Sequence, residues 1–508
     1  MKKTVLLSLH DKSGLEEFAG ALAERGYDLL SSAGTAACIR KAGVSVTEVS
    51  ELTEFPHIME GRVKTLHPRI FGGILARRGH SVDEEDAKRH SIPMIDMVVC
   101  NLYPFEETAK RDSSLEELLD NIDIGGVALI RAAAKNYRNV VVLTDPSDYS
   151  GVIEEIDAEG DVTLPTRQKL ALKAFRLTSG YDATIHEGLS NTLGAEKDDL
   201  PDETVLRLKK TMPLRYGENP HQAAALYEPV LAPIPFEVLG GKEISYNNIL
   251  DIDTAMRGLA LLGSSCAALV IKHTTPCGMA IGTTPLEAYE KAYACDPLSA
   301  YGGIVGVTRN VDAGLARAVA SHFTEVIVAP SFSEDAIAFI RKERPALRTV
   351  LWKGGRISPV QMTGTWGGVL LQEDRLPPLP VPAKGQWIGK EQNDRWDDLI
   401  LAWKVAALSK SNAVALVRDG MAVGIGMGFC SRVYAVRFAI EQAGDKAKGA
   451  VMASDAFFPF PDGIEAAADA GIAAVMQPGG SVHDADVIEA AKRLSVSMFL
   501  SGHRTFRH

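Results

Sequence analysis

Short apolar runs alternate with helix-spaced apolar residues through the first part of the chain, and this alternation constrains the fold more than any other feature. Residues 4–9 (TVLLSL) read as a buried strand, and Leu15, Phe18, Ala19 and Leu22 follow at helical spacing. Residues 27–31 read as a second strand and 34–42 as a second helix. Residues 96–100 and 140–143 are further short runs rich in β-branched residues, and 126–136 (GVALIRAAAKN) is rich in helix formers. Strands alternating with helices give a mostly parallel sheet covered on both faces, so the expected class is α/β.

The chain has 508 residues, enough for two or more domains. Its hydrophobic fraction of 46% and charged fraction of 23% are those of a globular protein and exclude a disordered chain or a simple coiled coil. The net charge of −11 argues against a general nucleic-acid binder. It leaves room for a local basic pocket around a small phosphorylated ligand. The apolar start stops at Ser8-Leu9 and is followed by His10-Asp11-Lys12, too short a run for a secretory signal. No apolar stretch reaches the ~20 residues of a membrane-spanning helix. The cysteines are scattered and form no disulfide framework. These features predict a soluble cytoplasmic protein that engages neither nucleic acid nor membrane.

The polar, acidic stretch 188–203 reads as a domain boundary, dividing a unit 1–195 from a unit 200–508. Beyond it, 267–272, 304–308 and 325–329 read as strands and 284–294 as a helix. Residues 377–382 (PPLPVP) form neither helix nor central strand and mark a division into two subdomains. No internal repeat is legible.

Several segments of the first half carry polar groups at strand ends, where ligands of open α/β sheets bind. Ser31-Ser32-Ala33-Gly34-Thr35 joins a strand to a helix, as an anion site or as a plain N-cap. Gly61-Arg62-Val63-Lys64-Thr65-Leu66-His67-Pro68 is a basic loop, either solvated or shaped for binding. Asn101-Leu102-Tyr103-Pro104-Phe105 follows a strand, and Asn121-Ile122-Asp123-Ile124-Gly125-Gly126 opens the helix that ends in Lys135. Asp123 is either a ligand contact or a helix-start carboxylate, and Lys135 either a site group or a C-terminal cation.

In the second half Lys272-His273-Thr274-Thr275-Pro276-Cys277 follows an apolar strand, and a Lys–His pair at a strand end suits acid/base work. A zinc-deaminase reading needs Pro-Cys-x-x-Cys, but Ala280 occupies the second Cys position. Ser454-Asp455-Ala456-Phe457-Phe458-Pro459-Phe460-Pro461-Asp462 is either core packing or a stacking platform.

Taken together, SLHDKSGL, SSAGTA, GRVKTLHP, NLYPF, NIDIGG and RAAAKN resemble the inosine monophosphate (IMP) cyclohydrolase half of the bifunctional purine-biosynthesis family. LRYGENPHQ, KHTTPCG, DPLSAYGGI, KSNA, SDAFFPFPD, QPGGS and the FRH ending resemble its aminoimidazole carboxamide ribonucleotide (AICAR) formyltransferase half. The resemblance implies a methylglyoxal-synthase-like N-terminal domain and two cytidine-deaminase-like C-terminal subdomains without zinc. It implies formyl transfer from the cosubstrate 10-formyltetrahydrofolate to AICAR, then dehydrating closure of formyl-AICAR to IMP. Lys272, His273 and Asn412 would catalyse transfer. Arg215, Tyr216, Phe457 and Arg504 would hold the nucleotide, and Gly302, Arg432 and Asp462 the folate. Lys64, Tyr103, Asp123 and Lys135 would serve closure, with Ser8, Lys12, Ser32, Gly34, Thr35, Arg62, Thr65, Asn101 and Gly125 binding its substrate. The family resemblance further implies a homodimer and admits a monovalent cation. Phe71, Tyr137, Thr275 and Phe429 depart from the family pattern. The rival readings are a non-catalytic nucleotide or folate sensor and a zinc-dependent nucleobase deaminase.

Overall fold

The computed structural model describes residues 2–111, 113–194, 200–232, 234–354 and 360–508. The chain divides into two compact units, Met1–Lys209 with Pro229–Pro233, and Lys210–Glu228 with Ile234–His508.

The first unit is built on five strands, β1 (Thr4–Ser8), β2 (Asp28–Ser31), β3 (Thr47–Glu48), β4 (Met97–Cys100) and β5 (Val141–Leu143). They lie in the order β3-β2-β1-β4-β5, with every pairing parallel. Val5, Leu6 and Leu7 are all fully buried, as expected where helices cover both faces of a parallel sheet. The helix Leu15–Glu24 buries the four residues whose spacing predicts it, Leu15, Phe18, Ala19 and Leu22. The glycines of Gly125–Lys135 open that helix beyond the carboxyl edge of the sheet.

A 30-residue helix, Leu164–Leu193, is the largest element absent from the sequence reading. It buries Leu170, Ala174, Thr178, Tyr181 and Gly188 along one stripe of helical period. A Cβ on Gly188 would meet the Phe105 ring at 3.1 Å. The first residues of the expected linker are therefore packed helix, and the compact units divide at Lys209/Lys210. Residues 195–199 of that expected linker lie outside the described residues.

In the second unit, β6 (Leu208–Leu214) pairs with β7 (Ala224–Pro229) where the chain passes from one unit to the other. Six strands follow, β8 (Phe236–Gly240), β9 (Ala267–Lys272), β10 (Thr275–Ile281), β11 (Gly303–Val307), β12 (Thr324–Ala329) and β13 (Arg348–Trp352). After the hairpin β14 (Val360–Thr365)–β15 (Gly368–Glu373) come six more. These are β16 (Gln386–Ile388), β17 (Val414–Arg418), β18 (Met421–Gly426), β19 (Val451–Ser454), β20 (Ala474–Gln477) and β21 (Ser497–Leu500). All twelve form one sheet in the order β16-β21-β20-β19-β17-β18-β10-β9-β11-β12-β13-β8.

That order contains a repeat. Read outward from the middle, β10-β9-β11-β12-β13-β8 pair antiparallel, antiparallel, parallel, parallel, antiparallel. The strands β18-β17-β19-β20-β21-β16 pair in the same sequence of senses. The counterparts β10 and β18 join the halves antiparallel, with Ala280 opposite Met421. Helices occupy matching places, with Tyr246–Leu262 before β9 corresponding to Trp396–Leu408 before β17. The run 377–382 lies between the halves. The repeat is invisible in the sequence because topology constrains polarity pattern and order, and many side-chain sets satisfy both.

Candidate functional site

In the first unit, polar groups converge where β1, β2 and β4 end. The Asn101 side chain, just past β4, accepts from the His10 and Asp11 backbone N–H groups at 2.7 and 3.1 Å and donates to the Asp11 carbonyl at 2.8 Å. This fixes the loop that carries Lys12. The Thr35 hydroxyl oxygen accepts from the Leu9 N–H at 3.1 Å, fastening the same loop to the helix Ala33–Lys41. Ser32 takes that helix's N-cap position, but its hydroxyl makes no capping bond and lies 3.5 Å from the Ser8 hydroxyl. Gly34 is exposed in the first turn, where a Cβ would meet nothing. Two hydroxyls and a helix N-terminus thus face the carboxyl edge, a setting that favours an anion.

Asp123 is the electrostatic centre of this cluster. Its carboxylate accepts from the Gly126 N–H at 2.7 Å and from the Tyr103 N–H. Burial raises its pKa above the ordinary carboxylate value, while those bonds and the charges of Lys64 and His10 oppose the rise. A Cβ on Gly126 would lie 2.6 Å from the Asp123 carboxylate, and one on Gly125 would lie 3.1 Å from the Thr65 hydroxyl, so the glycine pair makes room for both. Tyr103 packs edge-on to His10 at 5.4 Å, and burial with Asp123 nearby raises its phenol pKa.

Met59, Glu60 and Gly61, just before the basic loop, all have positive φ. A Cβ on Gly61 would collide with the Lys64 side chain at 2.5 Å, so that glycine sets where the ammonium runs. Arg62 is exposed and paired with Asp120 at 2.8 Å. His67, the last polar residue of this loop, caps the helix Pro68–Leu75. Its Nδ1 accepts from the Arg69 N–H. Lys135 stands apart, exposed in the last turn of Gly125–Lys135. Ten residues of helical rise separate it from Gly125, about 15 Å. The structure gathers Lys64, Tyr103 and Asp123 and leaves Lys135 at the other end of the helix.

In the second unit the β9–β10 turn carries Lys272 and His273. His273 and Thr274 have φ of 54° and 62°, left-handed values that are costly for a β-branched residue such as Thr274. Asp251, from the helix Tyr246–Leu262, holds them by accepting from the Thr274 N–H at 2.6 Å and from the His273 N–H. The Thr275 hydroxyl donates to the Lys272 carbonyl at 2.8 Å, so this departure from the family pattern still closes the turn. His273 is left exposed. The Lys272 ammonium donates to the Tyr301 carbonyl at 2.8 Å. Gly302 follows with φ of 77°, its N–H donating to the Phe323 carbonyl.

Asn412 is held by a buried network. Its amide donates to the carbonyls of Phe429 and Cys430 at 2.8 and 3.2 Å, so the Phe429 departure contributes through its backbone. Its oxygen accepts from Arg432 at 2.6 Å. Arg432 also bonds Ser454 and pairs with the fully buried Asp455. Arg432, expected to face the folate, has a side chain 5% exposed that bonds Asn412 and pairs with Asp455.

Arg215 and Arg504 are exposed and have no carboxylate partner among the described residues. Arg215 stacks over Tyr216 and bonds its hydroxyl at 2.7 Å, and Arg504 lies over Phe506. Phe458 is core, Phe457 half-buried and Phe460 exposed, so the aromatic turn divides its residues between packing and surface. Asp462 is half-buried and opens the helix Asp462–Asp469.

Several positioning groups escaped the sequence reading. Tyr181 accepts from the Asp123 N–H and donates to the Asn121 carbonyl, both at 2.9 Å. Nothing in a sequence links it to a residue 58 positions earlier. Asp251 is equally silent. Arg507 donates to the carbonyls of Thr274 and Leu408 at 3.1 and 2.5 Å and to the Thr254 hydroxyl at 3.0 Å. The FRH ending was the available signal for it.

Among the described residues no group of three His, Cys, Asp or Glu side chains is gathered as a metal site, and no helix is long and apolar enough to cross a membrane.

Two α/β units, each with acid/base side chains on a loop at a strand end, define a two-site enzyme. The family model for the AICARFT/IMPCHase bienzyme matches residues 133–442, and that for the MGS-like domain matches residues 14–128. The bifunctional purine biosynthesis protein PurH of Anoxybacillus flavithermus is 44% identical over 516 residues, covering 100% of both chains. The PurH proteins of Bacillus subtilis and Persephonella marina are each 43% identical, covering 100% of this chain and 99% and 100% of theirs. The chain belongs to the AICARFT/IMPCHase bienzyme family. It is a bifunctional enzyme of purine biosynthesis, an AICAR formyltransferase using 10-formyltetrahydrofolate and an IMP cyclohydrolase.

Proposed function

We propose that the second unit transfers the formyl group at the Lys272–His273 turn and that the first unit closes the ring at the Asp123 cluster. The observation that carries the assignment is the pair of pre-set loops, one clamped by Asp251 and the other by Asp123. In transfer, the AICAR amine attacks the formyl carbon, His273 takes its proton, and the folate nitrogen leaves with a proton. Lys272 and Asn412 stabilise the oxyanion, and Arg432 with Asp455 holds Asn412 in place. Arg215 and Arg504, with no carboxylate partner among the described residues, offer guanidiniums for the nucleotide phosphate. Tyr216 and Phe457 contact the nucleotide, while Gly302 and Asp462 border the folate.

In closure, the carboxamide nitrogen attacks the formyl carbon and water leaves. Positioning lowers much of this intramolecular barrier. Lys64, Tyr103 and Asp123 move protons and stabilise charge. Ser8, Ser32, Gly34, Thr35, Lys12, Arg62, Thr65, Asn101 and Gly125 bind the nucleotide. The family resemblance assigns Lys135 to closure as well, although it stands at the far end of its helix from Asp123. The repeat in the second unit supports reading its halves as cytidine-deaminase-like, and the failed Cys spacing supports doing without zinc. The enzyme works as a cytoplasmic homodimer, with a monovalent cation as an optional structural ion.

The deciding experiment supplies each substrate separately. His273→Ala and Lys272→Ala are expected to lower formyl transfer by about 10²–10⁴ and to leave closure of supplied formyl-AICAR intact. Loss of both reactions in a folded variant overturns the division.

A further inference from the structure

The sheet repeat places a cavity at the counterpart of the Lys272–His273 turn. In one half the turn His273-Thr274 has positive φ at both residues, and Asp251 accepts both backbone N–H groups. In the other half the turn is Asp419-Gly420, with φ of 53° and 72°. Asp398 accepts its two N–H groups at 3.1 and 2.8 Å. Asp251 and Asp398 lie in corresponding helices. Six residues beyond each stands a cation, Arg257 and Lys404.

The two cations differ in what they meet. Arg257 is satisfied by Asp374 at 2.7 Å and Asp253 at 2.8 Å. Lys404 is 7% exposed and has no hydrogen bond or ion pair among the described residues. The side chain is largely enclosed while its unpartnered ammonium still reaches the cavity, and burial alone pushes its pKa below the ordinary lysine value. Lys404 lines a cavity of about 550 Å³ with Ile281, Ile400, Leu401, Asp398 and Gly420. The cavity lies at the far end of β10 from His273, about 20 Å along the strand.

The surrounding charges decide what fits. Glu287 is taken by Lys291 at 2.8 Å and by the Thr283 N–H and hydroxyl. Asp398 is taken by the turn. Lys404 inside and Asp397 at the exposed rim remain as opposite charges without partners among the described residues. They sit two helical turns apart on one face, with the apolar Ile400 and Leu401 between them. A dianion would meet Asp397, Asp398 and Glu287 against Lys404 and Lys291, whereas a zwitterion meets a complementary charge at each end.

We propose that this cavity is a second ligand site, separate from both reactions, which takes a small amino-carboxylate with its carboxylate on Lys404 and its ammonium toward Asp397. An anion seated on Lys404 favours the protonated amine, and each unit of pKa gained lowers the free-amine fraction about tenfold.

The test is trace acetylation of the full-length protein at mildly alkaline pH, read lysine by lysine by peptide mass spectrometry. The probes are β-alanine, acetate and inorganic phosphate. β-Alanine is expected to slow Lys404 labelling by up to about tenfold, acetate less and phosphate least, with other lysines unaffected. β-Alanine should also raise Tm in the wild type and not in Lys404→Met. Unchanged Lys404 labelling with all three probes, strongest protection by phosphate, or a Tm gain that survives Lys404→Met would each overturn the proposal. The labelling arm uses the unaltered chain, so it stands even where the variant folds poorly.

Discussion

At the scale of single residues, function here is bought against stability. Burial raises the pKa of Asp123 above the ordinary carboxylate value. A carboxyl whose folded pKa exceeds its unfolded value destabilises the fold above the unfolded pKa. That cost disappears as pH falls below both values. Asp123→Asn removes the charge, and its side-chain oxygen can still accept the Gly126 N–H. Closure of formyl-AICAR should therefore fall by about 10²–10⁴ in kcat while Tm at neutral pH stays level or rises. Thermal melts beside single-turnover kinetics check both halves, and a large drop in Tm would show that Asp123 is chiefly a structural cap. Arg432 makes the complementary point. Its motif reads as a ligand cation, yet the buried Asp455 uses its charge inside the protein. A sequence shows that a guanidinium is present and not which anion neutralises it.

At the scale of elements, the sites depend on segments far away in the chain. Arg507, near the C-terminus, bonds carbonyls at the catalytic turn and at the end of the helix Trp396–Leu408. Burial lowers its pKa, but from so high a starting value that it stays charged through the working range. Arg507→Ala removes the donor from two carbonyls, at about 1–3 kcal/mol each where they stay buried, and from the Thr254 hydroxyl, and it frees a strained turn. Formyl transfer should lose kcat more than it gains KM, closure should be untouched, and Arg507→Lys should restore part of the rate. Equal losses in both reactions would mean general unfolding. The same scale explains what was legible beforehand. The strands β1, β2, β4 and β5 and the helices Leu15–Glu24, Ala33–Lys41 and Gly125–Lys135 were readable because each buries a short set of apolar residues, and motif order supplied the candidate site residues. The two-residue β3 and the short helices between them, such as Ser81–Arg89 with Ala87 alone buried, carry too little apolar pattern to read. The helix Leu164–Leu193 was not, because its stripe is diluted by Thr178, Tyr181, Thr184 and Gly188, whose burial rests on hydrogen bonds and close packing instead of apolar periodicity. Tyr181, Asp251 and Lys404 gain their meaning only from neighbours brought together by folding.

At the scale of the whole molecule, a net charge of −11 coexists with cationic loops at Lys12, Lys64, Arg215 and Arg504. An acidic surface around such loops leaves attraction for anionic nucleotides local and sensitive to salt. The intermediate formyl-AICAR is small and soluble, and in the proposed assignment the two reactions use different side chains in different units. One reaction therefore does not require the other on the same chain. His273→Ala and Asp123→Asn proteins should each fail to make IMP from AICAR and 10-formyltetrahydrofolate. Mixed, they should make it, after a lag set by accumulation of free formyl-AICAR. The lag should shorten as the His273→Ala protein, which supplies ring closure, is added in excess. A mixture that stays inactive, although each variant performs its own half-reaction on supplied substrate, would mean that the intermediate does not pass through solution.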